Sequence, residues 1–556
     1  MNTAHHKVWP ARLPHAIDPP ATALPDNLMV SARRYPHRPA LRFFGQITTY
    51  AELAAQVERL AAWLAARGVA RGDRVLVDLQ NCPQLVVAHC AVMRANAVVV
   101  PVNPMNRAAE LKYLIEDSGA QLAVTSADLS AEWLAAGMPA TALLITHLGE
   151  TFDRHHPEAQ DLPPGWADWL LADTALPAGA HAWAEALACT ATPPAYEATA
   201  DDLALLPYTS GTTGHPKGCV HRHRSLQHNV VANALWGQGS EQDVVLAVVP
   251  MFHITGIVVI LHSSLYLGAC LVLMPRWQRE LAGRLIVRHQ VTRWTNIPTM
   301  VIDLLASPEA AQFNLSSLVY IGGGGAAMPA QIAKRLLDGW GLHYVEGYGL
   351  TETAAPSHSN PQDAPKPQCL GVPYFSCDAR VVDPDTLREM PQGEAGEIVV
   401  CGPMVFDGYW RRPEATQAAF FELDGKRFFR TGDMGRVDED GYFFMTDRLK
   451  RMINASGFKV WPAEVESLMY AHPGIAEACV IAAPDAYRGE TVKALVVKRQ
   501  GQPDFSAAEL RDWCRTHMAA YKVPALIEFV DSLPKSGAGK IMWRALQERE
   551  QERAKA

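Results

Sequence analysis

The sequence predicts an α/β protein with a large N-terminal domain of layered sheets, part of it β-barrel-like, and a small α+β C-terminal domain joined by a hinge. The chain has 556 residues, too many for one small core. Helix and strand patterns alternate through the first third, which is typical of largely parallel sheets. The composition changes near Asp447. We therefore expect an N-terminal domain over residues 1–447 and a C-terminal domain over 448–556.

The first elements show the alternation clearly. Thr49–Glu52 has the pattern of a capping box, and apolar residues then recur at helical spacing until Gly68. A strand is predicted over Val75–Leu79, a helix over Leu85–Met93 and a buried strand over Ala97–Val102.

The uncharged stretch Ile254–Met274 is long enough to cross a bilayer. Polar residues interrupt it, and Pro250 and Pro275 flank it. It therefore predicts a buried helix, a turn at Gly268 and a core strand over Cys270–Met274.

The C-terminal region begins with the basic run Arg448–Arg451. Helices are predicted over Ala463–Tyr470 and Ala507–His517, and strands over Cys479–Ala483 and Ala494–Lys498. This order predicts a small α+β unit.

Bulk properties exclude several classes of protein. A net charge of -8 without a dense Lys/Arg stripe argues against nucleic-acid binding. None of the ten cysteines forms a Cys-x-x-Cys pair, so neither a zinc site nor a disulfide framework is indicated. Met1–Leu13 has no apolar core of a secretory signal. These features predict a cytoplasmic protein.

The segment Tyr208–Gly218 carries the strongest functional signal. It reads Tyr-Thr-Ser-Gly-Thr-Thr-Gly-His-Pro-Lys-Gly, a set of hydroxyls, glycines and one lysine that suits a loop around a polyphosphate. It lacks the Gly-Lys-Ser/Thr ending of a Walker loop, which argues against a P-loop kinase.

Three further segments contain candidate catalytic or binding residues that could act together with this loop. Tyr344–Glu352 offers an aromatic ring, a hydroxyl and a carboxylate; Arg430–Asp433 places an acid after a tight turn; Pro534–Lys540 ends in a lysine on a glycine-rich loop. Each segment alone is more typical of an ordinary turn or a solvated charge.

Together, in this order, the segments resemble the adenylate-forming superfamily, which includes acyl-CoA synthetases, firefly luciferase and adenylation domains. The resemblance covers nearly the whole chain. Within the superfamily, the chain is most similar to bacterial medium- and long-chain fatty-acid–CoA ligases. It implies an AMP-forming ligase that makes acyl-AMP and pyrophosphate from a fatty acid and ATP, and then acyl-CoA. It also implies magnesium as the cofactor and ATP and CoA as co-substrates.

The resemblance also implies roles for residues at matching positions. Lys540, His253, Glu352 and Lys217 would be catalytic, and Thr209 and Glu352 would hold Mg²⁺. ATP or AMP would be bound by a larger set: Thr209, Ser210, Gly211, Thr212, Thr213, Gly214, Lys217, Gly324, Gly325, Ala326, Glu346, Gly347, Tyr348, Gly349, Thr351, Asp433 and Arg448.

The second half-reaction involves the C-terminal domain in this family. The domain would pivot at Lys450, and CoA would be bound by Ser456, Gly457, Phe458 and Lys459.

The acyl group would contact His253, Gly256, Ile257, Gly322 and Gly323. A known relative has a gating tryptophan where this chain has Ile257, so the gate is unassigned. The glycines at 322–325 are expected to leave the pocket wall open for an alkyl chain.

Alternatives remain open at this point. A CoA ligase for aromatic or short-chain acids, or an enzyme that loads a separate carrier protein, would have the same motifs. A non-catalytic binding protein is disfavoured because both Glu352 and Lys540 are present. Acyl chain length, homodimer formation and peripheral membrane contact are not determined.

Overall fold

A computed structural model describes residues 3–152, 155–209, 216–448, 451–455, 458–460, 462–485, 489–535 and 541–555. The chain divides into two compact units. Unit 1 comprises residues 1–378, 400–429 and 440–442, and unit 2 comprises residues 379–399, 430–439 and 443–556. The large N-terminal part has layered sheets and the C-terminal part is small, so the predicted fold class is confirmed.

Unit 1 contains most of the regular structure. Its helices are α1 (Pro25–Arg34), α2 (Tyr50–Ala66), α3 (Pro83–Arg94), α4 (Ala108–Ser118), α5 (Ser130–Ala135), α6 (Pro157–Gln160), α7 (Trp166–Leu170), α8 (Trp183–Leu187), α9 (His223–Trp236), α10 (Ser263–Leu267), α11 (Arg279–His289), α12 (Pro298–Leu305), α13 (Ala330–Trp340) and α14 (Pro413–Ala418). Its first strands are β1 (Pro39–Phe43), β2 (Gln46–Thr49), β3 (Arg74–Asp78), β4 (Val98–Pro101), β5 (Leu122–Ser126), β6 (Leu143–Thr146), β7 (His181–Ala182), β8 (Leu203–Leu205), β9 (Tyr208–Thr209), β10 (Lys217–Gly218) and β11 (His221–Arg222). They are followed by β12 (Val244–Ala247), β13 (Cys270–Leu273), β14 (Arg293–Asn296), β15 (Tyr320–Gly323), β16 (Tyr344–Leu350), β17 (Ala355–Ser359) and β18 (Val372–Pro373).

Two large sheets organise unit 1 in the part of the chain that the structure describes. One has nine strands in the order β18-β17-β16-β15-β14-β12-β13-β1-β2, and the other has seven in the order β11-β8-β4-β3-β5-β6-β7. Most neighbours along β12–β16 and β3–β7 are parallel. The alternation of apolar strands with helices thus produced the largely parallel sheets that it predicts.

Local signals placed the helix ends well. The Thr49 side chain accepts a hydrogen bond from the Glu52 amide and completes a capping box at the start of α2. The uncharged stretch is the predicted buried helix, but its first part, Gly256–His262, is a π-helix that continues into α10. Gly268 ends it with φ 80°, and β13 follows. No helix among the described residues has the length and apolar character needed to cross a membrane.

Several strands complete the chain beyond β18. They are β19 (Asp378–Val382), β20 (Gly396–Cys401), β21 (Phe420–Leu423), β22 (Lys426–Val437), β23 (Phe443–Arg448), β24 (Ile453–Ala455), β25 (Phe458–Val460), β26 (Ile475–Asp485), β27 (Gly489–Lys498) and β28 (Leu526–Phe529). The accompanying helices are α15 (Pro462–Met469), α16 (Ala507–His517) and α17 (Trp543–Lys555). In unit 2, β25-β24-β27-β26 form a sheet with β28 paired to β27, and apolar faces of α15 and α16 pack on it.

Candidate functional site

A short antiparallel ladder fixes both ends of the predicted phosphate loop. Thr209 lies opposite Lys217 and Tyr208 lies opposite Gly218. The Tyr208 hydroxyl donates a hydrogen bond to Oδ2 of Asp117 at 2.7 Å. The two ends of the loop are therefore held together at its base. The loop residues Ser210, Gly211, Thr212, Thr213 and Gly214 lie outside the described residues.

The segment 407–410 runs alongside this ladder. The Trp410 amide donates to the Gly218 carbonyl at 2.8 Å, and the Val220 amide donates to the Gly408 carbonyl at 3.0 Å. Cys219 and Tyr409 form an antiparallel bridge. These backbone contacts bring Tyr409 next to the base of the loop.

Glu352 lies on a single 3₁₀ turn that follows β16. Its side chain is buried, and the Tyr409 hydroxyl donates a hydrogen bond to Oε1 at 2.9 Å. The Lys217 ammonium lies over the Tyr409 ring, 4.9 Å from the ring centre. The structure therefore joins two predicted catalytic residues, Lys217 and Glu352, through one phenol.

The backbone after Glu352 is unusual. Ala354 and Ala355 have φ values of 51° and 76°, which non-glycine residues seldom adopt. The Asn229 side-chain amide donates to the carbonyls of Thr353, Ala354 and Pro356 at 2.9–3.0 Å. These bonds from α9 offset the conformational cost of the turn that presents Glu352.

Glu346, predicted to bind nucleotide, has a different environment. Its Oε1 accepts a hydrogen bond from the Met328 amide at 2.9 Å, and its Oε2 accepts one from the Gln368 amide at 2.7 Å. Burial raises the pKa of Glu346 to about 7. Its contacts tie two loops to β16, which is an anchoring role in this structure.

The other predicted nucleotide-binding residues in this region lie along β16 and on the turn that follows it. A Cβ at Gly349 would come 1.7 Å from the Ala355 carbonyl oxygen, so only glycine fits there. The Tyr348 ring is buried, and its centre is 5.6 Å from that of His358. Gly347 lies between Glu346 and Tyr348, and Thr351 begins the 3₁₀ turn that carries Glu352.

The expectation that glycines 322–325 leave a pocket wall open is wrong for Gly322, Gly323 and Gly324. An added Cβ at these positions would lie between 1.8 and 2.4 Å from a carbonyl oxygen of β14 or β16. They allow strands to approach closely, as glycines in strands often do. Gly325 has φ 87° and is exposed, as is Ala326.

The predicted acyl-binding segment forms the entry to the π-helix. His253 is exposed, and the Ile257 amide donates to its carbonyl at 3.0 Å. Ile257, which stands at the position of a relative's gating tryptophan, is fully buried. A Cβ at Gly256 would be 2.1 Å from the Pro250 carbonyl oxygen. π-Helical turns are frequent at functional sites.

Unit 2 carries the predicted ribose-binding acid. Asp433 is buried and follows Gly432, whose φ is 70°. Its amide donates to the Thr431 hydroxyl at 3.1 Å, and its backbone pairs with that of Arg448 on β23.

Two of the predicted CoA-binding residues, Phe458 and Lys459, lie on β25, opposite Ala455 and Asn454 of β24. Other predicted residues, Lys450, Ser456, Gly457 and Lys540, lie outside the described residues.

The oxygen donors of Glu352 and Thr209 fit a magnesium ion. Mg²⁺ binds oxygen ligands and is usually held by one or two carboxylates together with substrate phosphates. Glu352 and Thr209 supply a carboxylate and a hydroxyl, both hard oxygen donors. No group of three His, Cys, Asp or Glu side chains that could hold a metal by themselves occurs among the described residues.

Two residues outside the predicted motifs also help to position Glu352. Tyr409 and Asn229 contact Glu352 or its turn from sequence positions 57 and 123 residues away. Tyr409 precedes Trp410 and follows Gly408, but this local sequence gives no signal of a contact with Glu352. Asn229 likewise has no such signal within an ordinary helical stretch.

Known proteins resemble this chain over nearly its whole length. Residues 28–410 match the AMP-binding enzyme family model, and residues 464–540 match the model of the AMP-binding enzyme C-terminal domain. A long-chain-fatty-acid–CoA ligase of Bacillus subtilis (strain 168) is 35% identical over 98% of this chain and 97% of its own length. A feruloyl-CoA synthase of an Amycolatopsis species is 38% identical over 92% of this chain and 96% of its own length. The crystal structure of ATP-bound MatB from Rhodopseudomonas palustris is 30% identical, with a TM-score of 0.82 over 96% of this chain and 99% of that one.

Proposed function

Because this chain belongs to the AMP-binding enzyme family and is an AMP-forming acid–thiol ligase, we propose that its carboxylic acid substrate is a medium- to long-chain fatty acid. It uses ATP and CoA to make an acyl-CoA. The long-chain ligase of Bacillus subtilis, similar over 98% of this chain, supports the choice of acid.

The observation that carries the adenylation step is the Lys217–Tyr409–Glu352 arrangement. A fatty-acid carboxylate must approach the α-phosphate of ATP, so two anions meet. A cation beside the base of the loop can offset the repulsion between these two anions directly, and a carboxylate there can do so by holding a metal ion. Mg²⁺, when bound by Glu352 and Thr209, would neutralise phosphate charge.

Each remaining residue has a proposed role in the first step. The loop residues Thr209 to Lys217 would hold the β- and γ-phosphates. Asp433, with Arg448, would hold the ribose hydroxyls, and Tyr348 would lie against adenine. Lys540 would bring the carboxylate and the α-phosphate together, with His253 beside the carboxylate.

The second step would use the domain formed by residues 448–556. We propose that it pivots at Lys450 and brings residues 456–459 to the thiol-binding side, so that the thiol attacks the acyl-AMP carbonyl and AMP leaves. A cytoplasmic location is part of the proposal and is supported by the cysteine spacing, which contains no Cys-x-x-Cys pair and indicates no disulfide framework.

A panel of acids tests the proposed substrate. We expect kcat/KM for CoA consumption to rise from acetate to at least an eight-carbon acid, because each buried CH₂ contributes about 0.8 kcal/mol. Lys540→Ala tests the adenylation step separately, and it should lower acyl-AMP formation by about 10²–10³. The same variant should still convert supplied acyl-AMP to acyl-CoA, since its charge is needed only while two anions approach.

A second candidate is a CoA ligase for aromatic acids. The feruloyl-CoA synthase, 38% identical over 92% of this chain, favours it. Ferulate and benzoate therefore belong in the same panel. A preference for either of them, or for two- to four-carbon acids, would reject the fatty-acid proposal and leave the ligase assignment intact.

A further inference from the structure

One phenol lies between a cation and a carboxylate at the base of the phosphate loop. The Tyr409 hydroxyl donates to Glu352 Oε1 at 2.9 Å, while the ring face carries the Lys217 ammonium at 4.9 Å from its centre. The hydroxyl restricts where the carboxylate can point, and the electron-rich ring face attracts the ammonium. A single side chain thus influences both charged groups.

Tyr409 is itself held by its surroundings. Its backbone pairs with that of Cys219, and its amide donates to the Thr416 hydroxyl at 2.9 Å. The Phe406 ring meets the Tyr409 ring edge-on with centres 4.9 Å apart, and the Phe406 amide donates to the Glu352 carbonyl at 2.8 Å. The phenol and the turn bearing Glu352 are therefore fixed to the same short segment, 406–409.

The hydroxyl is the donor and the carboxylate oxygen the acceptor in the bond between Tyr409 and Glu352. A neutral phenol in this position fixes the carboxylate without adding a charge that would compete with it for a cation. This is the chemistry expected of a group that orients a metal ligand.

We propose that Tyr409 is a positioning residue that orients the Glu352 carboxylate for Mg²⁺ and holds Lys217 beside the loop until ATP binds. The role of Glu352 in metal binding rests on the proposed function. On ATP binding, the ammonium would leave the ring for the phosphates, whereas the phenol would keep its bond to Glu352.

Tyr409→Phe removes the hydroxyl and keeps the ring. Mn²⁺, a paramagnetic substitute for Mg²⁺, is titrated into the full-length protein with saturating ATP and followed by electron paramagnetic resonance. Loss of a group that orients a metal ligand typically weakens metal binding about 10–100-fold, and we expect a rise in the Mn²⁺ dissociation constant within that range. In the adenylation assay, the half-saturating Mg²⁺ concentration should rise while kcat at saturating Mg²⁺ stays within about threefold.

Tyr50→Phe is the matched control. The Tyr50 hydroxyl is also buried and donates to the Ala269 carbonyl at 2.7 Å, but it belongs to α2. We expect this variant to bind Mn²⁺ as the wild type does, even where its thermal stability falls. If Tyr409→Phe is folded and keeps the wild-type Mn²⁺ affinity, Tyr409 has no positioning role.

A second variant guards against failure to fold. 3-Fluorotyrosine at position 409 keeps the ring and the hydroxyl donor, so Glu352 stays oriented and the Mn²⁺ affinity should stay within about threefold of the wild type. A loss of affinity as large as that of Tyr409→Phe would overturn the proposal.

The metal titration contains neither acid nor CoA. If the wild type does not bind Mn²⁺ with ATP, the positioning proposal falls. If it binds Mn²⁺ with ATP but makes no acyl-CoA from any acid in the panel, only the proposed function falls.

Discussion

Two buried carboxylates, Asp78 and Glu352, stand at the carboxyl ends of strands in the two large sheets of unit 1, yet their surroundings differ. Asp78 ends β3, and its Oδ2 accepts hydrogen bonds from the Trp133 indole at 2.8 Å and the Thr125 hydroxyl at 3.4 Å. Glu352 follows β16 and is bonded to the phenol that also carries Lys217. An acid at the end of a parallel strand is a frequent ligand-binding feature, but its neighbours decide whether it can serve one.

Burial among uncharged hydrogen-bond donors makes Asp78 a poor charged group. Within the described residues its Oδ1 has no hydrogen-bond partner, and burial raises its pKa to about 7. Near neutral pH a large fraction of Asp78 is therefore protonated. Asp78 therefore belongs to the core, whereas Glu352 is the proposed site residue.

The largest expected effect separates the two acids by activity. Glu352→Gln should lower acyl-AMP formation by about 10²–10³, because the amide cannot supply the negative charge that would hold the proposed Mg²⁺. Asp78→Asn should leave the rate within about threefold, since the amide oxygen can still accept from the Trp133 indole. ATP–pyrophosphate exchange measures both, and similar losses in the two variants would remove the distinction.

The next effect is the pH dependence of stability at Asp78. Its pKa in the folded protein is about 7 against an ordinary 3.8, so between these values the folded state keeps a proton that the unfolded state has lost. The stability that this group contributes is full below pH 3.8 and is lost as pH rises through 7. Between pH 5 and 8 the free energy of unfolding should fall by about 2–3 kcal/mol from this group alone.

Asp78→Asn checks this sign. The variant cannot ionise, so its unfolding free energy from urea titrations should lack this fall, and at pH 8 it should exceed that of the wild type. Parallel pH profiles for the two proteins would show that Asp78 titrates normally.

The smallest effect concerns the turn that presents Glu352. Asn229→Ala removes a shared donor from the carbonyls of residues 353, 354 and 356 and should cost about 2 kcal/mol of unfolding free energy. Because the turn then relaxes, Mn²⁺ binding with ATP should also weaken. Asn27→Ala, which breaks a buried pair with Gln227, is the control and should lower stability alone. Equal metal affinity in both variants would show that Asn229 serves the core and not the site.

Sequence patterns located elements well where the signal is local. The helix predicted over Ala507–His517 has those ends in the structure, where the Ser506 side chain caps it. The buried helix and turn before β13 were also predicted, although the π-helical form was not. Such patterns work because caps, turns and apolar spacing act between residues a few positions apart.

The glycines at 322–324 show the limit of local reasoning. Their sequence is compatible with an open pocket wall and with close strand packing. Which one holds depends on carbonyl oxygens of β14 and β16, which come from distant parts of the chain. Only the assembled sheet distinguishes the two.

The sequence by itself predicted the α/β class and a phosphate-binding loop from residue types at fixed spacing, and its resemblance to known proteins predicted the family. The tertiary structure alone decided that Tyr409 joins Lys217 to Glu352, that Asn229 supports the turn after Glu352, and that Asp78 is isolated among neutral donors. These relations join residues far apart in sequence. A hydrogen bond or a pKa depends on distance and burial in space, which spacing along the chain does not encode.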